Sequence, residues 1–428
     1  MRTKTTPVPV ASPLPFYPMR ILLLSQWYAP EPETRIHSLA RGLLAKGHQV
    51  TSITGLPNYP HGRLYPGYQQ RWWQWEEREG VRVLRLPLYP DHSQRVVKRS
   101  LNYLSFAASA SLLGPALGGR ADVLWVYHPP LTVGWPAWWM SRLRRVPFVY
   151  EIQDMWPETL LATGMVADGR ARRLLDGLAR FVYRQAAAIT VISPGFKRNL
   201  VGKGVPADKI HVLPNWADEE TYRPLPPDPR LAEEYGLAGR FNVIYGGNLG
   251  AAQALTNVLE AAVRLGDLPH VQFVLIGDGV EEARLQEQAA AMGLDNVRFV
   301  GRQPGERMPH FFALADALLI HLRRDPLFEI TIPSKTVAYL ACGRPMVAAV
   351  AGDAAEVVQQ AGAGVICPPE NPEALAAAVR QLATMPVETR EAMGRDGRCF
   401  FLAHFTRQVL LERYEQLLME VAGIERKA

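Results

Sequence analysis

The sequence predicts an α/β protein built from two Rossmann-like units in tandem. Three observations carry this. The chain has 428 residues, of which 48% are apolar and 21% charged; that is too long for one ordinary core and right for two α/β domains of roughly 200 residues each. From Met19 onward, short apolar runs alternate with segments of helical period, as parallel strands covered by helices require. The alternation breaks once, after Pro214, and then restarts.

Residues 1–18, MRTKTTPVPVASPLPFYP, carry five prolines and no apolar run long enough for a secretory signal. They read as a disordered tail, or as a start codon placed too early, with Met19 opening the first strand. MRILLLS is that strand, apolar throughout as a buried parallel strand is. The segment from Thr34 to Lys46 puts Ile36, Leu39, Ala40, Leu43 and Leu44 on one helical face, and Gly47 ends it. HQVTSIT, VRVLRL, ADVLWVY, PFVYEI and AAAITVIS read as further strands with helical segments between them. The first domain is therefore 19–213.

Residues 214–240, PNWADEETYRPLPPDPRLAEEYGLAGR, are rich in proline and acidic residues and lack a strand pattern, which marks an interdomain linker. The second domain, 241–395, opens with FNVIYGG. A helix through Leu255 to Leu265, VQFVLIG, a helix from Glu281 to Met292, NVRFVG, DALLIHL and PMVAAV follow. Residues 396–428 continue in helical pattern through Tyr414 and Leu418, and these helices are free to cross back to the first domain.

A net charge of +6 is too weak an excess to argue for nucleic acid; it fits an anionic substrate or an anionic membrane surface. Cys342, Cys367 and Cys399 have no metal-ligand spacing and cannot form a full disulfide set, which suits a reducing cytoplasm. No stretch reaches the ~20 apolar residues of a spanning helix. The expectation is a protein in the cytoplasm or on a membrane, not through one.

Ligands of open α/β sheets bind beyond the carboxyl ends of the strands. Two such edges facing each other across a hinge would make a cleft, with an activated donor on one wall and an acceptor on the other. The second unit opens with Tyr245-Gly246-Gly247-Asn248-Leu249-Gly250. Strand, glycine turn and helix together present free amides to a phosphate, although a tight turn needs glycine whether or not it binds anything. Gly277-Asp278-Gly279 is a second glycine turn at the same sheet edge, and it strengthens the phosphate reading.

The most specific segment is Asp325 to Pro345, DPLFEITIPSKTVAYLACGRP. It resembles the large retaining GT-B glycosyltransferase family, family four. Within that family it is most similar to the branch that makes colanic acid, O-antigen and capsule, including transferases of N-acetyl-L-fucosamine. The resemblance covers nearly the whole chain. SQWYAPEPETRIHSLARGLLAKGHQVTSITGLPNYPHG looks like the family's first strand and donor-facing loop, and YHPPLTVGWPAWWMSRLRRVPFVYEIQDMWPE like its middle block. It implies a GT-B fold of two Rossmann-like domains facing a cleft. It also implies transfer from a nucleoside diphosphate sugar, UDP-linked on family grounds, with retention at the anomeric carbon and with no metal or other cofactor.

Carried over residue by residue, the resemblance gives Glu329 the place near the first of the family's paired glutamates, which binds donor hydroxyls; a carboxylate can accept two hydrogen bonds at once. A solvated loop charge is the other reading. Thr331, Ile332, Pro333 and Ser334 would offer backbone amides to the diphosphate at the start of the next helix, with Pro333 in its first turn and Ser334 as a capping type. Two departures matter. Ala338 stands near where the second glutamate should be, and Gly250-Ala251-Ala252-Gln253-Ala254 lacks the cation that the family usually places after its glycine turn. A diphosphate leaving group needs positive charge as its bond breaks. Lys335, with Arg323 or Arg324, is expected to supply it; ordinary surface cations are the alternative for the two arginines.

In the first domain Asp154, within Asp-Met-Trp-Pro-Glu, follows a strand at its carboxyl end. It would bind the acceptor or orient the donor, or else cap the turn, and Glu158 shares that ambiguity. His128 precedes Pro129-Pro130 at another strand end, as a cleft-facing polar group or a structural histidine. Glu33 and Thr34 occupy the loop where many relatives carry paired glycines near the donor phosphate. No general base is assigned, because the leaving diphosphate can take the acceptor proton.

The segment Arg95 to Arg120 joins a basic start to a long apolar stretch. Trp72, Trp73, Trp75, Trp135, Trp138 and Trp139 lie in the same domain, with Arg142, Arg144 and Arg145 close behind. Basic residues with tryptophan suit a membrane interface; simple core packing would use the same residues. A lipid-linked acceptor, a polyprenyl diphosphate sugar at the inner face of the membrane, fits the first reading. Two other functions remain open at this level. One is a non-hydrolysing sugar-nucleotide epimerase, against which the IPSK block argues. The other is a catalytically weak scaffold that binds nucleotide sugar or lipid in a polysaccharide assembly complex, which the two departures keep open.

Overall fold

The computed structural model describes residues 17–32, 34–93, 95–162 and 169–424. The expected tail therefore lies, apart from Tyr17 and Pro18, outside the described residues, as does Glu33.

The first sheet contains β1 (Arg20–Leu24), β2 (Gln49–Gly55), β3 (Gln74–Arg78), β4 (Val81–Leu86), β5 (Val123–His128), β6 (Phe148–Ile152), β7 (Ala188–Val191) and β8 (Ile210–Val212). Its order is β3-β4-β2-β1-β5-β6-β7-β8. β1 runs parallel to β2 and β5, and β2 parallel to β4. The helix Thr34–Ala45 covers this sheet with Ile36, Leu39, Ala40 and Leu43 buried, the face that its 3.6-residue period marks out.

The second sheet contains β9 (Phe241–Gly246), β10 (Val271–Ile276), β11 (Val297–Gly301), β12 (Ala317–His321), β13 (Met346–Ala349) and β14 (Gly364–Cys367). Its order is β11-β10-β9-β12-β13-β14, with every neighbouring pair parallel. Side chains alternate between two buried faces, as a pleated strand dictates. Val243, Tyr245, Phe273, Leu275 and Leu319 pack with Leu255, Val258 and Leu259 on one side. Ile244, Val274, Ile276, Leu318 and Ile320 pack with Phe311, Tyr339 and Leu340 on the other. Both faces are covered, so the strands carry no polar alternation and read as continuous apolar runs.

Three strands escape a search for apolar runs. β3 pairs antiparallel with β4 at the sheet edge and is polar. Its Glu76 binds the fully buried Arg85 at 2.8 Å. β8 and β14 are three and four residues long. The linker also holds more order than its composition suggests. A helix, Pro229–Glu234, is capped by Asp228, whose carboxylate accepts from the amide of Arg230 at 2.9 Å, and Leu231 and Ala232 are buried.

The described residues form two compact units. One comprises the chain up to Glu151, Arg173–Ile189 and the chain from Tyr414 onward; the other comprises Ile152–Arg172 and Thr190–Arg413. In the first unit a buried network joins three distant parts of the sequence. Glu151 accepts from the guanidinium of Arg35 at 3.1 Å and from the hydroxyl of Tyr414 at 2.8 Å.

Candidate functional site

In the second sheet the strand order reverses between β9 and β12. Connections leave β9 and β12 toward opposite sides, and the carboxyl ends of these two strands open a crevice, the ligand position of open α/β sheets. The segments at that edge are Gly246–Gly250 after β9, Gly277–Gly279 after β10, and His321–Arg324 at and after β12.

The two glycine turns are locked together. The amide of Gly247 donates to Ile276 O at 2.9 Å, and that of Leu249 to Asp278 O at 2.7 Å. Gly277 has φ +147°, and a Cβ on it would fall on the carbonyl oxygen of Gly247. Only glycine lets the two backbones come this close. Two tyrosines fix the first turn from either side of the sheet. The Tyr339 hydroxyl accepts from the amide of Gly246 at 2.9 Å, and the Tyr245 hydroxyl donates to Asn248 O at 2.7 Å. Asn248 is exposed beside the turn, and Asp278 pairs with Arg302 at 3.2 Å on the surface.

Lys335 reaches this turn from below. It is the second residue of the helix Ser334–Cys342. Its Nζ lies 3.6 Å from the centre of the Tyr245 ring, and a Cβ on Gly247 would stand 3.2 Å from it. The ammonium is buried and makes no hydrogen bond among the described residues. A desolvated cation–π contact is worth about 2 kcal/mol, whereas burying an ion costs several kcal/mol, so the ring alone does not offset the burial. Burial accordingly pulls the lysine down to about 7. An anion at the glycine turn would supply the missing partner.

Pro333 occupies the N-cap of this helix, with φ −59° and ψ 140° and no side-chain cap, and Ser334 is its first helical residue. This corrects the expected capping by Ser334: the fixed φ of proline already matches the extended cap conformation. The first amides of a helix have no intrahelical acceptor, so those of Ser334 and Lys335 point out of its N-terminus beside the buried ammonium. Ile332 is buried, and the Thr331 hydroxyl donates to Leu327 O at 2.7 Å.

Glu329 is the exposed last residue of the short helix Pro326–Glu329. The Arg323 guanidinium binds Asp325 at 3.1 Å and lies over the Phe328 ring at 5.7 Å. The Arg324 amide donates to Glu370 at 2.6 Å, with its guanidinium near Pro369 O at 3.5 Å. Of the three proposed cations, Lys335 is the one whose charged atom is buried without a hydrogen-bond acceptor among the described residues.

The remaining candidates stand on other elements. Asp154 is half-buried after β6, and burial raises its carboxyl. Glu158 opens the helix Glu158–Ala162 and pairs with Lys203 at 2.5 Å. His128 ends β5, fully buried with its ring centre 5.8 Å from that of Tyr150, and burial lowers it to about 3. It is neutral at physiological pH. Thr34 is the first residue of the helix Thr34–Ala45. Tyr245, Tyr339 and His321 are site residues that motif reading passed over. Tyr339 had a signal, since it stands four residues after Lys335 on one helical face.

Residues 31–216 match the family described as a glycosyl transferase 4-like domain, and residues 230–399 match the one described as glycosyl transferases group 1. The chain is a GT-B glycosyltransferase of family four. This glycosyltransferase is 28% identical over 386 residues to WcaI of Escherichia coli K12, named as a colanic acid biosynthesis glycosyl transferase, covering 86% of this chain and 93% of that one. With the glycosyltransferase WbjE of Pseudomonas aeruginosa it shares 25% identity over 271 residues, 62% of this chain and 66% of that one. Its fold matches the crystal structure of Anabaena HepE in complex with UDP, with a TM-score of 0.71 at 18% identity, covering 94% of this chain and 100% of that one. The glycosyltransferase contains, among the described residues, no helix long and apolar enough to cross a membrane.

Proposed function

We propose that this glycosyltransferase moves a hexosyl or N-acetylhexosaminyl residue from a UDP-sugar to a polyprenyl-diphosphate-linked acceptor. Transfer proceeds with retention and without a metal, in bacterial surface polysaccharide synthesis at the inner face of the membrane. The buried ammonium of Lys335 at the strand-order reversal, without a hydrogen-bond acceptor among the described residues, carries this reading. The similarity to WcaI and the UDP bound in HepE support it.

The chemistry follows from charge. As the bond between the anomeric carbon and the diphosphate oxygen breaks, negative charge grows on the diphosphate. Lys335 and the amides of Ser334 and Lys335 at the N-terminus of its helix meet that charge, in a site whose groups are already in place. The acceptor hydroxyl bonds to the anomeric carbon on the face the diphosphate leaves, and its proton passes to the departing diphosphate oxygen. Glu329 holds donor hydroxyls, and Asp154 orients the acceptor.

Membrane contact is supported by the first unit. On the helix Gly134–Arg144, Trp135, Trp139 and Leu143 are 48%, 41% and 58% exposed at successive four-residue steps, with Arg142 and Arg145 alongside. The helix Val96–Leu117 buries Tyr103, Phe106 and Ala110 on one side and exposes Val97, Leu101, Leu104 and Leu112 on the other.

The test is an assay of purified protein with UDP-glucose, UDP-N-acetylglucosamine and UDP-N-acetyl-L-fucosamine, a polyprenyl-diphosphate-linked acceptor, and a chelator present throughout. UDP release with a product of unchanged anomeric configuration is expected. Inverted product, or dependence on added metal, would contradict the mechanism; absence of transfer from every donor would contradict the function.

A further inference from the structure

His321 closes β12 at the strand-order reversal and is fully buried. Its Nδ1 lies 2.7 Å from the carbonyl oxygen of Gln253. A carbonyl can only accept, so the ring proton sits on Nδ1 and Nε2 is left with a bare lone pair. Nε2 is buried and has no hydrogen-bond partner among the described residues. Leaving such a group unsatisfied costs stability, a cost avoided once a donor arrives.

Resting on the reading of this edge as a nucleotide-sugar site, we propose that His321 Nε2 accepts a hydrogen bond from a hydroxyl or N–H group of the bound donor and helps to select it. The Gln253 carbonyl that the other ring nitrogen meets belongs to the loop 250–253, which the amide of Arg323 also ties to β12 through Ala252 O at 2.8 Å. The ring thus stands at the carboxyl end of β12, the sheet edge that also carries the glycine turns. A neutral imidazole nitrogen repels phosphate oxygens, which are themselves acceptors, so its partner belongs to the ribose, the sugar or an acetamido group. Burial and the nearby charge of Lys335 hold the ring neutral, against the pull of Gln253 and Glu370. The atom thus keeps its accepting role beside a cation that serves the phosphates. A site that hydrogen-bonds a substrate hydroxyl discriminates strongly against analogues without it.

The experiment is calorimetric titration of wild type, His321→Phe and His321→Asn with inorganic pyrophosphate, UDP, UDP-glucose and UDP-N-acetylglucosamine. His321→Phe should weaken at least one nucleotide ligand about tenfold and leave pyrophosphate within about twofold. His321→Asn, which retains a donor for Gln253 and an acceptor, should recover part of the loss. Equal weakening of UDP and the UDP-sugars assigns the contact to the ribose; weakening of the UDP-sugars alone assigns it to the sugar. Unchanged nucleotide affinities in His321→Phe overturn the inference, as does an equal loss of pyrophosphate, which would mean that the histidine only holds the loop. If wild type binds none of the four, the proposed function falls as well.

Discussion

The ammonium of Lys335 stands 3.6 Å above the ring of Tyr245 and has no hydrogen-bond acceptor among the described residues. The Tyr245 hydroxyl is committed to Asn248 O, so the ring offers the lysine its face and nothing else. The arrangement is a buried cation held ready for an anion.

Replacing Lys335 by Met should lower turnover about 10²–10³-fold, the usual loss on removing one group that meets transition-state charge. Affinity for the intact UDP-sugar should fall much less, because most of the charge develops only as the bond breaks. Initial rates and equilibrium titration on the same preparation separate the two effects. Equal losses in both would make Lys335 a ground-state binder.

Lys335 also gives the protein a pH dependence of two opposite signs. Its value is lowered from 10.5 to about 7 in the unliganded fold. Above pH 7 the site loses its charge, so pyrophosphate affinity should fall with rising pH, approaching about tenfold per unit. For stability the folded value lies below the unfolded one, and between pH 7 and 10.5 the unfolded chain binds more protons. The destabilisation by the buried charge is therefore complete below pH 7 and is relieved as pH rises toward 10.5. Urea midpoints of wild type should rise relative to Lys335→Met across that window, and Lys335→Met should lose the pH dependence of pyrophosphate binding.

Gly277→Ala should destabilise the second unit by about 3 kcal/mol or more, combining a strained φ with a backbone collision. The added Cβ meets the Gly247 carbonyl, and nucleotide binding should fail together with the turn. Urea unfolding and UDP titration read both. A variant as stable as wild type would mean that the two turns are not locked as described.

The triple substitution Trp135→Ser, Trp139→Ser and Leu143→Ser removes the exposed stripe of one helix. Flotation with vesicles of phosphatidylglycerol and phosphatidylcholine should recover wild type and leave the variant at the bottom, with activity on a water-soluble acceptor analogue unchanged. Wild type that stays wholly in the soluble fraction would refute membrane contact.

The parallel strands could be read in the sequence because both faces of each are buried, which leaves runs such as VQFVLI without polar interruption. β3 escaped because an edge strand alternates, and its Glu76 is held by a buried arginine that composition alone cannot place. At the site, Gly246, Gly247 and Gly277 announced themselves as turns, and the IPSK block pointed to Lys335. The absence of an acceptor for that lysine was invisible, since it depends on where Tyr245, Tyr339 and the second turn converge in space. His321 was hidden for the same reason. Within DALLIHL it ends an apolar strand, and only the position of the Gln253 carbonyl reveals which ring nitrogen is bare.

A crystal structure with UDP bound tests the central claim most directly. The diphosphate should lie beside the Gly246–Asn248 turn, within hydrogen-bonding distance of Lys335 Nζ and of the amides of Ser334 and Lys335. A diphosphate bound away from the carboxyl ends of β9 and β12, with Lys335 still lacking an acceptor, would contradict the account.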